Sequence, residues 1–171
     1  MILGYDPSTL REKVDEAAVA ARLGELGDER SASALDERAG LLRMSGRLDE
    51  ALEVANEAVR NARGGGDREQ ILRARVRRAQ VLQAQGKVDA AITEFDDCVT
   101  EAAAHGWAQT EADALQYRGT ARFDQHDYPA AGRDFRDALI IRVRIQSPPD
   151  LIDGSMIAIM IADSFSDSGE S

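Results

Sequence analysis

Three short turns recur at a fixed interval, and they restrict the fold more than any other feature. They read Gly46-Arg47-Leu48-Asp49-Glu50-Ala51-Leu52, then Gly86-Lys87-Val88-Asp89-Ala90-Ala91-Ile92, then His126-Asp127-Tyr128-Pro129-Ala130-Ala131. Positions 46, 86 and 126 stand 40 residues apart. The flanks keep the same register. Upstream lie Arg38-Ala39, Arg78-Ala79 and Arg118-Gly119; downstream lie Ala55, Phe95 and Phe135, then Ala58, Cys98 and Ala138. Each turn joins two amphipathic runs with apolar residues three or four apart, such as Val76, Ala79 and Leu82 before the second turn and Val88, Ala91, Ile92, Phe95 and Cys98 after it. A repeated helix–turn–helix unit follows, and self-similarity at such a period is the signature of a stacked array.

Composition agrees. The 171 residues are 43% hydrophobic and 30% charged, a globular balance rich in helix formers. The net charge of −10 repels phosphate backbones and anionic lipid, so neither nucleic acid nor a membrane is an expected partner. Arginine far outnumbers lysine, which is confined to Lys13 and Lys87, a pattern of GC-rich bacterial coding. One cysteine, Cys98, excludes an internal disulfide and a CxxC site. The opening Met-Ile-Leu-Gly-Tyr-Asp is unlike a signal peptide, and the apolar stretch 156–162 is too short to span a bilayer, so a cytoplasmic location is expected.

The order large-x-x-large-small-x-x-large, then Gly, then Ala-x-x-x-Phe-x-x-Ala resembles the tetratricopeptide repeat (TPR). Here it appears as Leu115, Arg118-Gly119, Phe123, Ala131, Phe135 and Ala138. The period of 40 exceeds the common ~34 and is similar to the lengthened TPRs of kinesin light chains and bacterial regulators. The resemblance implies an all-α superhelix of about eight helices. A capping helix is expected in 1–29, centred on the run 10–26. Three repeats follow at about 30–66, 67–106 and 107–148, and 149–171 supplies the first helix of an incomplete fourth repeat with a polar tail from residue 164. Ala39, Ala79 and Gly119 are expected where the two helices of a repeat cross.

No residue set supports catalysis. Gly64-Gly65-Gly66 lacks the strand before it and the Lys-Ser/Thr after it that a phosphate loop needs, and reads as a junction. His105 and His126 fall at helix ends, too few for a metal site. Neither an enzyme nor a bound cofactor is expected. Arg38, Arg78 and Arg118 occupy a site where the family usually has a large apolar residue. Arg118 is matched by Asp134 and Arg78 by Glu94, each 16 residues on, whereas Val54 stands in that place for Arg38. The favoured reading is an ion pair clasping the helices of one repeat; the other is an arginine ladder offered to an acidic ligand.

By resemblance, the concave groove draws on the first helix of each repeat: Asp36, Glu37, Gly40 and Arg43; Arg73, Val76, Arg77, Gln80 and Gln83; Asp113, Gln116, Tyr117, Thr120 and Phe123. The contacts expected to bind a ligand are Arg43, Arg73, Arg77, Gln80, Tyr117, Thr120 and Phe123. Gly40, Gln80 and Thr120 stand where co-chaperone TPRs carry the asparagine that grips a C-terminal carboxylate, which disfavours that ligand. The resemblance therefore implies a non-catalytic scaffold binding a protein or peptide. The alternative is a homodimerisation module of a larger bacterial regulator, using Met156, Ile159 and Met160 of the C-terminal helix.

Overall fold

Helix boundaries are set by side-chain caps and left-handed turn residues. In this computed structural model, which describes residues 1–168, a two-stranded hairpin precedes eight helices. The hairpin pairs β1 (Ile2–Tyr5) antiparallel to β2 (Glu12–Val14). The helices are α1 (Glu16–Leu26), α2 (Ala32–Met44), α3 (Leu48–Gly65), α4 (Arg68–Ala84), α5 (Val88–His105), α6 (Ala108–Asp124), α7 (Tyr128–Arg144) and α8 (Pro149–Ser168). Asp15, Ser31, Asp67 and Asp127 accept from the third backbone N–H beyond them at the starts of α1, α2, α4 and α7.

The repeat is visible atom by atom. Helices α3, α5 and α7 begin at residues 48, 88 and 128. The turn before each has a left-handed residue at 46, 86 and 126, and the junctions after α3, α5 and α7 have one at 66, 106 and 146. Four of these six are glycine; His126 (φ 64°) and Gln146 (φ 55°) accept the same backbone without it. Cross-repeat bonds recur too. Gln85 donates to Asp49, and forty residues on Gln125 donates to Asp89.

Helices α2 through α8 pack each on the next. Among alternate helices, α2 touches α4 and α4 touches α6, whereas contact across α3, α5 and α7 is sparse. The array therefore curves toward the side of α2, α4 and α6, and the result is an all-α superhelix that is 78% helical. The core runs along it in successive clusters: Ala39, Leu42, Ala51 and Ala55; then Leu72, Ala79, Ala91, Phe95 and Cys98; then Phe123, Ala131, Phe135, Ala158 and Ala162. At the tightest crossing, a Cβ on Gly119 would lie 2.5 Å from Phe135 Cε1, so only glycine lets α6 lie this close to α7.

Two expectations need correction. The stretch 10–26 is not one helix. Leu10 is left-handed (φ 57°), Glu12–Val14 is a strand, and helix begins only at Glu16. The cause is the Asp6-Pro7-Ser8-Thr9 turn, where the Asp6 carboxylate accepts the Ser8 and Thr9 N–H groups and the Ser8 hydroxyl. Those bonds, the Ser8 hydroxyl first, hold the Asp6 carboxyl down at about 2. At the other end, helix continues through Ser164 to Ser168, where a polar tail was expected; the rest of that tail, 169–171, lies outside the described residues.

The arginine ladder is structural. Arg118 grips Asp134 with two bonds, Nη2 to Oδ1 at 2.7 Å and Nε to Oδ2 at 3.0 Å. Arg78 Nη2 donates to both Glu94 oxygens, at 2.5 and 2.6 Å. In the repeat that lacks the acid, Arg38 instead donates to the carbonyls of Leu26 and Gly27, where its charge meets the negative end of α1.

Candidate functional site

The concave face is built on α2, α4 and α6, whose inward positions are polar and tied across the groove. Asp36 on α2 accepts from Arg77 on α4 at 3.1 and 3.2 Å. Glu69 on α4 accepts from Thr110 on α6, and Asp124 on α6 accepts from Gln83 on α4 at 2.8 Å. All three pairs are separated by 41 residues, one more than the period, so each joins a first helix to the next. Gly40 has a specific use here. A Cβ there would lie 3.1 Å from Arg77 Nη1, so its absence lets the guanidinium cross toward α2. Burial opposes the Arg77 charge, yet the Asp36 carboxylate more than offsets it and raises the Arg77 pKa.

Gln80, Tyr117 and Leu151 divide the groove into two compartments. The open one, of about 220 Å³, is lined by those three with Asp36, Arg73, Val76, Arg77, Thr110 and Asp113. Arg77 is held there by Asp36, and Asp113 by Arg142 at 3.0 Å. Arg73 alone among these charged groups makes no hydrogen bond or ion pair with the described residues, and its side chain is exposed.

The other compartment, of about 100 Å³, is roofed by the N-terminal hairpin. Tyr5, Leu10, Arg11 and Glu12 face Arg43, Gln80, Gln83, Gln116, Tyr117, Thr120, Arg142 and Gly154. Arg43 Nη2 donates to Glu12 Oε2 at 2.7 Å. Arg11 Nη2 donates to both Asp124 oxygens at 3.1 Å. Leu10 is 4% exposed within the cluster of Phe123, Phe135, Ala158 and Ala162. Burial, and after it the Glu12 carboxylate, push the Tyr5 phenol above its usual range. Below the hairpin, Arg142 is buried and donates to Asp113, Gln116, Ser155 and the Leu151 carbonyl, while the Nε groups of Arg43 and Arg142 are buried without a partner among the described residues.

The expected contact residues therefore separate into groups. Arg73, Arg77, Gln80 and Tyr117 line the open compartment, and Arg43 and Thr120 the roofed one, which shares Gln80 and Tyr117. Phe123 lines neither. It is 4% exposed, with its ring 5.0 Å from Tyr128 and 5.2 Å from Phe165, edge to face with both. Residue 123 lies four beyond Gly119 on the face that meets α7 and α8, and there the aromatic is core. On α8, Met156 and Met160 are 47% and 70% exposed, with Ile157 beside them. Ile159 instead packs on the Phe123 cluster and is not part of that outward face. Sequence reasoning missed Tyr5, Leu10, Arg11, Glu12 and Arg142. The Asp-Pro-Ser-Thr turn is the signal that marks the first four as a folded hairpin.

Cys98 is fully buried in the core, and burial pushes its thiol up to about 12, so it is a packing residue. No cluster of His, Cys, Asp or Glu among the described residues is placed to hold a metal ion, and no described helix is long and apolar enough to cross a membrane.

A stack of helix pairs whose first helices line a polar groove defines a helical-repeat protein. Residues 30–100 match the family model of the tetratricopeptide repeat, and this match and the eight-helix array together support a TPR-type repeat protein. No curated protein matches it. Repeats of this family suggest a scaffold for protein–protein interaction and are generally non-catalytic.

Proposed function

We propose that the open compartment of the concave face binds a segment of another protein through an acidic group on Arg73 and an apolar or aromatic group against Tyr117. The supporting observation is the unpaired Arg73 among charges that are otherwise matched in pairs. A groove of this kind has one unmet demand, for negative charge, and an Arg beside a Tyr is a pairing enriched at binding hot spots. Arg77 is a poorer target for a ligand because Asp36 and Gln80 already use it. Phage display of random peptides on the purified chain supplies a probe. Arg73→Glu is expected to weaken the selected peptide at least about tenfold and to lower the salt dependence of binding. Full affinity in both Arg73→Glu and Tyr117→Ala places the site elsewhere.

The outward face of α8 supports a second reading, self-association. Met156, Ile157 and Met160 form one exposed apolar stripe on a helix whose opposite face is packed on α7. Light scattering tests it: Met156→Glu with Met160→Glu is expected to convert an associating chain to monomer, and a wild-type chain that is monomeric at high concentration ends this reading.

A further inference from the structure

We propose that the N-terminal hairpin is a tethered occupant of the concave face, and that the groove also accepts a partner segment with an apolar residue, a cation and a carboxylate in succession, as in Leu10-Arg11-Glu12. The inference rests on the reading of this face as a polypeptide site and gives the partner a chemistry beyond the acidic group on Arg73.

The receptors for the cation and the carboxylate belong to the groove walls, whereas the apolar residue reaches past them into the core. Asp124 is oriented by Gln83 as well as by Arg11. Arg43 projects from α2 toward Glu12. The apolar receptor is the cluster of Phe123, Phe135, Ala158 and Ala162 at the junction of α6, α7 and α8. On α8, Gly154 leaves room for the Tyr5 ring, since a Cβ there would lie 3.1 Å from its hydroxyl. The hairpin thus reaches α2, α6 and α8 through side chains alone, without extending any helix or sheet of the array.

Its hold is incomplete in three ways. Leu10 is buried only by adopting φ 57°, a left-handed conformation that leucine rarely takes; a segment delivering the same side chain from an ordinary extended backbone avoids that strain. A two-stranded hairpin is marginal by itself, so its order depends on this docking. Below it remain the cavity of about 100 Å³ and two buried guanidinium N–H groups, on Arg43 and Arg142, with no acceptor among the described residues. A longer occupant has acceptors to offer where the hairpin has none, and buried donors left unpaired weaken the state that leaves them so.

The test uses the full chain and a fluorescent peptide of residues 1–14 as probe, read by anisotropy. Leu10→Glu removes the anchor in cis. The probe is expected to bind this variant at least tenfold tighter than wild type, whose groove is already filled. Adding Arg43→Glu to the variant is expected to abolish binding, and a probe carrying Glu12→Arg to restore it. Equal binding to wild type and to a Leu10→Glu chain that keeps its helical circular dichroism, or no binding to either, overturns the proposal. Hydrogen exchange on wild type decides the matter even when Leu10→Glu does not fold. Amides of 2–14 are expected to exchange at least a hundredfold faster than those of α4 and α6; exchange only together with those helices makes the hairpin a fixed part of the fold and overturns the proposal. A peptide selected on the Arg73 compartment that binds while the hairpin probe fails refutes this inference and leaves the function of the open compartment standing.

Discussion

Asp134→Ala tests the internal clasp of the array. The Asp134 side chain is 3% exposed and receives three bonds, two from Arg118 and one from Arg122 at 3.0 Å. Removing one partner of a buried pair costs about 3–5 kcal/mol because the other charge is left stranded. Two features lower that here. Arg118 keeps Asp96 at 2.8 Å, and water reaches part of both guanidinium groups. Alanine also favours helix by a few tenths of a kcal/mol. The expected loss is roughly 2–4 kcal/mol, or a fall in Tm of about 5–15 °C for a chain of this size. Urea titration followed by far-ultraviolet circular dichroism measures it. Arg118→Met with Asp134→Leu is expected to recover most of the loss, since an apolar pair of similar volume replaces a buried ion pair at little cost. A single variant within about 0.5 kcal/mol of wild type, the size of an ordinary surface change, refutes the reasoning. So does a double variant no better than the single.

Glycine at the two exceptional left-handed positions is expected to stabilise. Gln146→Gly should contribute up to about 1 kcal/mol, and His126→Gly less, because its ring nitrogen loses the Tyr128 hydroxyl at 2.8 Å; unchanged or lower melting temperatures contradict this. Phe123→Ala is expected to cost roughly 3–5 kcal/mol as a core truncation, and an unaffected melting curve would return Phe123 to the groove. The hairpin is expected to loosen at both ends of the pH scale. The lowered Asp6 pKa contributes stability present above the ordinary carboxylate range and lost as pH falls through about 2; the raised Tyr5 pKa contributes stability present below pH ~10 and lost on further alkalinisation. Hydrogen exchange of 2–14 across pH checks both. Cys98, fully buried and with its thiol pushed up by that burial, is expected to react with disulfide reagents far more slowly than a free thiol, and rapid labelling of the native chain contradicts its burial.

The array was legible because its restraints recur in sequence. Arg118 with Asp134 and Arg78 with Glu94 share a spacing of 16, and one repeat interprets the other. The junction glycines and the Asp127 cap announce themselves by residue type. The hairpin was not legible in this way. It occurs once, its strands are four and three residues long, and the apolar spacing of 10–26 fits a helix equally well. Only the Asp6 turn argued against that, through hydrogen bonds that a helical period does not encode. Phe123 and Ile159 failed for a related reason. Periodicity assigns a side of a helix, but Tyr128, Phe165 and Leu10, which close over Phe123, come from three other segments. Arg142 lies on a second helix, where the resemblance placed no groove contacts, yet it reaches the groove between α6 and α8.

The central claim is that the concave face binds polypeptide. Backbone amide shifts of the isotopically labelled chain, followed by nuclear magnetic resonance while the selected peptide is titrated, test it most directly. The largest changes are expected at Asp36, Arg73, Val76, Asp113 and Tyr117, on α2, α4 and α6. Changes centred instead on Arg60, Thr100 and Ile140, exposed positions of α3, α5 and α7, would contradict it.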